Sequence, residues 1–581
     1  MTVPNRSAFA IAMRRIYRHL FMPVLICLFF FACQDRGPDN MLRIGLAEEP
    51  RTLNVWLASD ANSRKVLSLI YQPLYMNDPQ TLTLVPWLAE TMPVFDSDSL
   101  SYTIRLRSAR WSDGTPFTSR DVAFTGELIQ SFNVPRYASK WKFIDRIETP
   151  DEKTVIVYLT KPMASFFSDT LATPIVQRKA WADVAANAKK TEKPLATLLN
   201  HRVEKPIGTG PFELKQWRQG AFLHLVQNQH FFGTGKTISG QTLGPYFNDL
   251  VYTVFGTSDV AILALKKGSI DMFWWPIQPG YMEDLSKAES IRLFTNEKSA
   301  LYFIGFNLRK PPFSDDALRR AVAYLIDKEF IVARILQGHG TKMFSVVPAE
   351  NRFWYCSDLP RYGDGTTKEE RVKSAFRELT NAGYTWTVPP VDDAGNIQPA
   401  KELTLPDGKP MQRFTILTPP ADYDPHRATS GLMIQEWMRE LGMPAFARPM
   451  AFSSLLQQVK SNHDFDAFIL GYGRLRLDPA YVRNLFHSQN DKARGWNMSG
   501  YRNAAFDQVA DQSISEMDPV KRKTLVCEMQ QLIARDLPYI PLYKPSVVEA
   551  VRTDRFEGWV EMLEGIGNIW SICQVKPKMN G

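Results

Sequence analysis

Residues 102–124 have the sequence YTIRLRSARWSDGTPFTSRDVAF, and the first part of this segment has the pattern of a strand. Tyr102, Ile104 and Leu106 alternate with Thr and Arg residues, as side chains do along a strand with one buried face. We therefore predict a half-buried strand at the start of the segment.

The rest of the same segment predicts a tight turn and the start of a helix. Residues 112–114 (Ser-Asp-Gly) favour a turn, because Gly accepts a positive φ. Thr118 or Ser119 can cap a helix, and Asp121 would lie in its first turn, where the helix dipole favours a negative charge. A strand, turn and helix of this kind occur in many folds, so this segment alone does not identify one.

Further segments, in order along the chain, extend the pattern. They are residues 70–74 (IYQPL), 85–90 (VPWLAE), 206–212 (PIGTGPF), 265–271 (LKKGSID), 306–328 with Asn307, and 537–543 (LPYIPLY). Together with residues 102–124, they resemble the extracellular solute-binding proteins of family 5, the receptors of bacterial ABC importers. This resemblance extends over most of the chain and implies a binding protein without catalytic activity.

The resemblance implies an α/β fold, a two-lobed periplasmic binding protein with an extra subdomain, mixed sheets, flanking helices and a hinge. The expected division is leader 1–33, tether 34–40, first lobe 41–86, 207–300 and 535–581, subdomain 87–206, and second lobe 301–534. It also implies an oligopeptide or peptide-like ligand, ABC permease subunits as partners, and a monomer.

Local patterns predict the main elements of these lobes. They are a strand from Leu42, a Gly268 helix end, a helix from about Asp316, a surface hairpin over 387–412, helices over 430–441 and 518–536, and a buried strand over 465–470.

Length and charge restrict the class of protein. The chain has 581 residues, too many for one ordinary core, so at least two domains are expected. The net charge of +8 comes from 69 basic and 61 acidic residues, and it is spread without a Lys/Arg block. We therefore expect no nucleic-acid partner.

The N-terminal residues have the pattern of an export signal. Arg14, Arg15 and Arg18 precede an apolar run that ends at Cys33, and this run is short for a membrane-spanning helix. Ala32 and Cys33 resemble a lipobox, which predicts a lipidated Cys33 and a periplasmic, membrane-anchored protein. The alternatives are cleavage near Ala32 without a lipid, and an uncleaved anchor; Met13 would make a better signal start than Met1.

Three cysteines remain after the signal region: Cys356, Cys527 and Cys573. Their spacing matches no CxxC metal or redox motif. In an oxidising compartment one pair could form a disulfide, or all three could be buried thiols. The sequence does not indicate which pair would bond.

Trp274, Trp275 and Asn307 are predicted to contact the ligand, because they lie in family segments, and the tryptophans follow a segment that lines the cleft in relatives. Adjacent strand residues point to opposite faces, so at most one of the two indoles is expected to face the ligand. The alternative is that both pack at the interface between the lobes.

Residues 471–479 (GYGRLRLDP) differ from the peptide-binding members of the family. In those relatives an Asp four residues after the Gly pairs with the α-ammonium of the ligand, and here that position is Leu475. Arg474 and Arg476 flank it, with Tyr472 and Asp478 nearby, so a carboxylate or phosphate would be favoured if both arginines face the cleft. The alternatives are that they face solvent or pair with Asp478.

The sequence does not match the motifs of the common catalytic and cofactor-binding sites. Residues 232–237 resemble the end of a phosphate-binding loop, but its first Gly would fall at His230. The sequence has no HExxH and no GxSxG motif, and its eight His are scattered. We therefore expect no cofactor and a transport receptor; the alternatives are a receptor for an acidic or amine-blocked solute, and a sensor or hydrolase on the same scaffold.

Overall fold

The computed structural model of the protein describes residues 40–578. The predicted lipid-bearing Cys33 and the export signal lie outside the described residues. Because the backbone of the described part forms two large mixed sheets and a smaller one with helices around them, the expected α/β architecture with two lobes and a subdomain is confirmed.

The first lobe contains a seven-stranded mixed sheet. In spatial order its strands are Ile291–Asn296, Val547–Arg552, Met272–Phe273, Met41–Leu46, Asp249–Val254, Phe222–Gln227 and Phe212–Arg218. Met41–Leu46 pairs in parallel with both of its neighbours, and the other pairs are antiparallel. The strands of this sheet come from both ends of the chain, from Met41–Leu46 to Val547–Arg552. Its parallel neighbours are joined by long crossover connections.

The subdomain contains a four-stranded antiparallel sheet of Val94–Asp96, Ser101–Arg105, Thr154–Leu159 and Ile144–Asp151, in that order. Its buried residues and those of the first lobe form one continuous apolar cluster, which includes Trp87, Trp111 and Trp570. This shared core attaches the subdomain to the first lobe.

The second lobe contains a six-stranded mixed sheet. In spatial order its strands are Gly340–Lys342, Tyr539–Pro545, Leu301–Phe306, Ala467–Tyr472, Phe414–Thr418 and Ala445–Pro449. Ile304 and Phe306 belong to one apolar cluster, whereas Leu301 and Phe303 belong to another. The central strand is therefore buried on both faces, as expected from the alternation of side chains along a strand.

Helices surround these sheets. The α-helices are Ala61–Ser68, Ser119–Phe132, Ala138–Trp141, Arg178–Lys189, Pro194–Asn200, Ser258–Lys266, Pro279–Ser286, Asp316–Leu325, Lys328–Phe330, Lys368–Asn381, Pro425–Glu440, Phe452–Leu456, Ala480–Phe486, Ala504–Ser515, Pro519–Asp536 and Ile569–Gln574. Single π- or 3₁₀-turns are Phe166–Thr170, Ile331–Ile335, Gln457–Asn462 and Ser488–Asn490. Two-stranded ladders join Tyr75–Asn77 to Leu84–Pro86, Thr237–Ile238 to Gln241–Thr242, Thr385–Val388 to Lys401–Thr404, and Phe556–Glu557 to Lys576–Pro577.

The segment that opened the sequence analysis folds as predicted. The strand Ser101–Arg105 is followed by a turn in which Gly114 has a φ of +80°. Thr118 is the N-cap of the next helix, and its backbone N–H donates to the Asp121 carboxylate at 3.0 Å in a capping box. Thr118 and Asp121 thus satisfy backbone groups that would otherwise have no partner at the helix start.

The chain crosses between the lobes at residues 297–300 and again at Ser546, where strand Tyr539–Pro545 of the second lobe leads into Val547–Arg552 of the first. The predicted boundary, which puts everything from residue 535 in the first lobe, is wrong. Tyr539–Pro545 pairs with Leu301–Phe306, so it belongs to the second sheet. A strand buried on both faces has the same sequence pattern in either lobe, and only its pairing partner identifies the lobe.

Cys356 and Cys527 form a disulfide within the second lobe, across a sequence separation of 171 residues. Cys573 is a buried free thiol in the first lobe, and burial raises its pKa. The described residues thus contain one disulfide and one unpaired cysteine. This is the first of the two arrangements that the sequence left open.

Candidate functional site

Residues 471–479, which we call the site loop, begin at the end of strand Ala467–Tyr472 in the second lobe. The backbone N–H of Leu475 donates to the carbonyl oxygen of Ser299 at 2.6 Å, and the Ser299 N–H donates to the Glu564 carboxylate at 2.8 Å. Ser299 lies in the first crossing between the lobes. The site loop is therefore fixed directly against the hinge and, through it, against the first lobe.

Tyr472 lies at the base of the site loop. Its ring stacks on Phe303 with centroids 5.6 Å apart, and Trp496 lies at 6.4 Å in a tilted orientation. The side chain is partly buried, and burial raises the pKa of its phenol. These contacts fix the ring as part of the wall beside the loop.

The structure separates the three charged residues predicted in the site loop. Arg474 is exposed and, among residues 40–578, has no hydrogen-bonding or ion-pair partner. Arg476 donates to Asp169 of the subdomain at 3.0 Å. Asp478 is buried and pairs through both oxygens with Arg522 at 2.7 Å. The predicted alternative that the two site-loop arginines pair with Asp478 is thus not observed.

The Asp478–Arg522 pair also connects two parts of the fold. The Ser168 hydroxyl of the subdomain donates to the Asp478 carboxylate at 2.9 Å. Arg522 and these hydrogen bonds hold the pKa of Asp478 below its usual range in spite of burial. Since its oxygens are occupied by protein donors, Asp478 shapes the site loop and has no oxygen directed to a solute.

Asn307 is buried, and its amide is used inside the second lobe. Its Nδ2 donates to the carbonyl oxygens of His463 and Phe465 at 3.1 and 2.9 Å. Its Oδ1 accepts from the backbone N–H of Arg309 at 3.3 Å. The observed contacts therefore give Asn307 a structural role, and its predicted contact with the ligand has no support from them.

Trp274 and Trp275 point to opposite faces, as predicted for adjacent residues. Trp274 packs in the core shared with the subdomain and stacks on Tyr252 with centroids 5.6 Å apart. Trp275 is partly buried. It packs on the other face of the sheet, against the apolar cluster that contains Phe273. A contact of either indole with a solute stays a prediction.

The structure adds cationic residues that the sequence analysis did not single out. Helix Ala61–Ser68 of the first lobe presents Arg64 and Lys65, and Lys65 Nζ lies 4.3 Å from the centre of the Trp274 ring. Arg136 of the subdomain donates to the carbonyl oxygen of Ala58 at 2.5 Å. Charged residues on a short helix resemble an ordinary solvated face, so their sequence gives no signal of a site.

These cations act on one another electrostatically. Burial lowers the pKa of Lys65 to about 8, with Glu549 opposing this shift and Arg474 adding to it. Burial also lowers the pKa of Arg64, and the charges of Arg474 and Arg136 lower it further. The charge of Arg474 on the second lobe therefore acts on Arg64 and Lys65 of the first.

Tyr302 forms the wall of the second lobe beside the site loop. Its ring stacks on Tyr543 with centroids 5.1 Å apart. A Cβ added at Gly471 would lie 2.5 Å from the Tyr302 ring, whereas one at Gly473 would meet only its hydroxyl at 3.9 Å. The absence of a side chain at Gly471 thus lets the ring pack against the backbone of the loop.

Residues 40–578 contain neither a metal-binding group of side chains nor a membrane-spanning helix. No group of three or more His, Cys, Asp or Glu side chains there is arranged to hold a metal ion. In the same part of the chain, no helix is both long and apolar enough to cross a membrane.

Comparison with known proteins agrees with this architecture. Residues 83–494 match the model of the bacterial extracellular solute-binding proteins, family 5. The oligopeptide-binding protein AppA of Bacillus subtilis is 26% identical over 519 residues, which cover 88% of this chain and 87% of that protein. The probable D,D-dipeptide-binding periplasmic protein DdpA of Escherichia coli is 24% identical, with coverage of 94% and 98%. The structure of HbpA2 from Haemophilus parasuis superposes with a TM-score of 0.74 at 21% identity and covers 93% of this chain and 100% of that one.

Proposed function

The chain belongs to the bacterial extracellular solute-binding proteins of family 5, and we propose that it captures a peptide or peptide-like solute between its lobes and delivers it to an ABC permease. The relatives named for peptide binding support this choice of solute. The observation that carries the proposal is the arrangement of the site loop, which faces the first lobe and is attached to the hinge.

In this function the two lobes would close around the solute. Two-lobed proteins of this kind bury their ligand by hinge movement. Within residues 40–578, two short crossings connect the lobes. Tyr302 and Tyr472 supply aromatic surface beside the site loop, and the arginines would supply polar contacts. The chain would act without chemical change to the solute, as expected for a receptor.

The proposal includes attachment to the outer face of the inner membrane through a lipid on Cys33, and a monomeric receptor. A lipid anchor would keep the receptor close to the permease. Mass spectrometry of the mature N-terminus checks this part: a diacylglyceryl-modified Cys33 supports it, and an unmodified N-terminus contradicts it.

The receptor function is tested with the exported protein and a mixed library of short peptides in a thermal-unfolding assay. A ligand present at 100 times its dissociation constant adds about 2.7 kcal/mol to the free energy of unfolding, which shifts the midpoint measurably. Stabilisation by the library, with the bound peptides recovered unchanged, supports the proposal. Cleavage of the peptides would indicate a hydrolase instead.

A further inference from the structure

Four cationic side chains, which we call the cationic cluster, come from three parts of the fold: Arg64 and Lys65, Arg136, and Arg474. Lys65 Nζ lies above the Trp274 ring, and Arg136 reaches from the subdomain to the first lobe. Arg474 enters from the second lobe, beside the contact of the site loop with Ser299. The cluster thus spans the cleft.

These cations have no direct carboxylate partner among the described residues, although Glu549 and Glu564 act on Lys65 through space. The Arg64 Nε atom is buried and has no hydrogen-bond partner. A buried polar atom without a partner calls for an explanation, such as a functional role or an unplaced water or ion.

The nearest acids are already occupied by backbone donors. Asp60 accepts from the Ser63 N–H at 2.8 Å, where it caps the helix. Glu549 accepts from the Ile566 N–H at 2.5 Å, and Glu564 accepts from the Ser299 N–H. These acids moderate the local field but leave the guanidinium groups of the cluster unpaired.

Building on the receptor function above, we propose that the solute is an acid whose carboxylate binds between Arg474 on the second lobe and Arg64 and Lys65 on the first. A carboxylate there would accept charge-assisted hydrogen bonds from guanidinium donors on both sides of the cleft. Arg136 would add to the positive field.

The same geometry makes the carboxylate necessary for stable closure. Closure brings Arg474 towards Arg64 and Lys65, and unneutralised like charges at short range repel each other. A bound carboxylate replaces this repulsion with attraction from both lobes. A solute presented by its free ammonium group would meet four cations and no acidic side chain at residue 475, so it would be rejected.

The experiment compares four probes by thermal shift and calorimetric titration. The first is a library of free peptides without Asp or Glu, and the second is the same library as C-terminal amides. The third is the free acids with acetylated N-termini, and the fourth is succinate or inorganic phosphate. Each probe is titrated into the wild type, Arg474→Gln and Arg413→Gln, where Arg413 is an exposed arginine before strand Phe414–Thr418, at the end of that strand away from the site loop.

We expect both acid libraries to bind and the amides to fail. Arg474→Gln should weaken the acids at least about tenfold, since it removes charge-assisted bonds. Arg413→Gln should change the affinity less than about twofold, since distant surface charges are screened. Added salt should weaken binding in the wild type more than in Arg474→Gln.

Other outcomes separate this inference from the receptor function. Equal binding of amides and acids, or no effect of Arg474→Gln, overturns the carboxylate site but leaves the receptor function intact. Binding of succinate or phosphate that depends on Arg474, without binding of any peptide, supports the anion site and contradicts the peptide ligand. If none of the anionic probes binds, the carboxylate site is wrong.

Discussion

Arg476 in the site loop of the second lobe donates to the Asp169 carboxylate of the subdomain, with 3.0 Å between Nη1 and Oδ2. One residue earlier in the subdomain, Ser168 donates to Asp478. The subdomain therefore contacts the same loop that carries Arg474. These polar contacts join the subdomain to the second lobe, so they stabilise the arrangement in which the site loop lies against Ser168 and Asp169.

Asp169→Asn should shift the protein towards the open conformation. Arg476 is 58% exposed in this pair, so the interaction contributes a modest amount. We expect a loss of about 0.5–1 kcal/mol, or about a two- to fivefold increase in the open-to-closed ratio. Small-angle scattering with and without ligand measures this ratio. Asp145→Asn, in an exposed pair with Arg146, is the matched control and should leave the scattering unchanged.

Asp478→Asn should cost much more stability, because both members of the Asp478–Arg522 pair are about 4% exposed. Loss of one charge leaves the Arg522 guanidinium buried without its counter-ion, at a cost of about 3–5 kcal/mol. Urea unfolding at neutral pH measures this loss. A change below about 1 kcal/mol would contradict the role of the pair as a structural anchor of the site loop.

The same carboxyl predicts a pH dependence. The pKa of Asp478 is lower in the folded chain than in the unfolded chain, so the folded state favours the ionised form. Its contribution is present above the unfolded pKa and is lost as the pH falls through the folded one. The difference in unfolding free energy between wild type and Asp478→Asn should therefore shrink on acidification below about pH 4. A constant difference down to pH 2 would contradict this explanation.

Reduction of the Cys356–Cys527 disulfide should destabilise the second lobe. The bond closes a loop across 171 residues, and a loop of this size restricts the unfolded chain by about 5 kcal/mol in the chain-entropy model. We expect dithiothreitol to lower the unfolding midpoint of the wild type. The double variant Cys356→Ala and Cys527→Ala should have the lower midpoint already and should not respond to dithiothreitol.

Binding of an acid should change the protonation of Lys65. Its pKa is about 8 in the free protein, and a nearby carboxylate would raise it. At pH 8 we therefore expect uptake of about half a proton per bound ligand, and weaker binding as the pH rises above 8. Titration calorimetry in buffers of different ionisation enthalpy measures this uptake. Lys65→Met should abolish it, and persistence of the uptake in that variant would assign it to another group.

Gly471→Ala and Gly473→Ala form a matched pair of variants in the site loop. The added Cβ at residue 471 would lie 2.5 Å from the Tyr302 ring, so the ring or the loop must move. We expect this variant to lose about 1–3 kcal/mol of stability, as in other overpacked positions. Gly473→Ala should stay within about 0.5 kcal/mol of the wild type. Equal unfolding midpoints for the two variants would contradict the packing of Tyr302 against the loop.

Local features were predictable from the sequence because their causes lie within a few residues. The helix cap at Thr118 with Asp121 in the first turn, the helix end at Gly268 and the helix from about Asp316 are confirmed. The family resemblance is also confirmed, and it supplied the two-lobed architecture that local patterns could not.

Features that depend on distant partners were not predictable from these patterns. Arg476 and Asp169 are 307 residues apart in the sequence, and only the folded chain brings them together. Arg64 and Lys65 have the pattern of a solvated helix face, and their meeting with Arg474 depends on the approach of the two lobes. The lobe assigned to Tyr539–Pro545 was wrong because pairing, rather than composition, decides it.

The position of strand Val547–Arg552 has a consequence for the order of folding. It lies between Ile291–Asn296 and Met272–Phe273 in the sheet of the first lobe, although nearly the whole chain precedes it. During synthesis the sheet of the first lobe cannot be completed, and strand edges in it stay unpaired, until this late segment has been made. Deletion of this C-terminal segment would therefore leave the facing edges of Ile291–Asn296 and Met272–Phe273 unpaired in the sheet that begins at Met41.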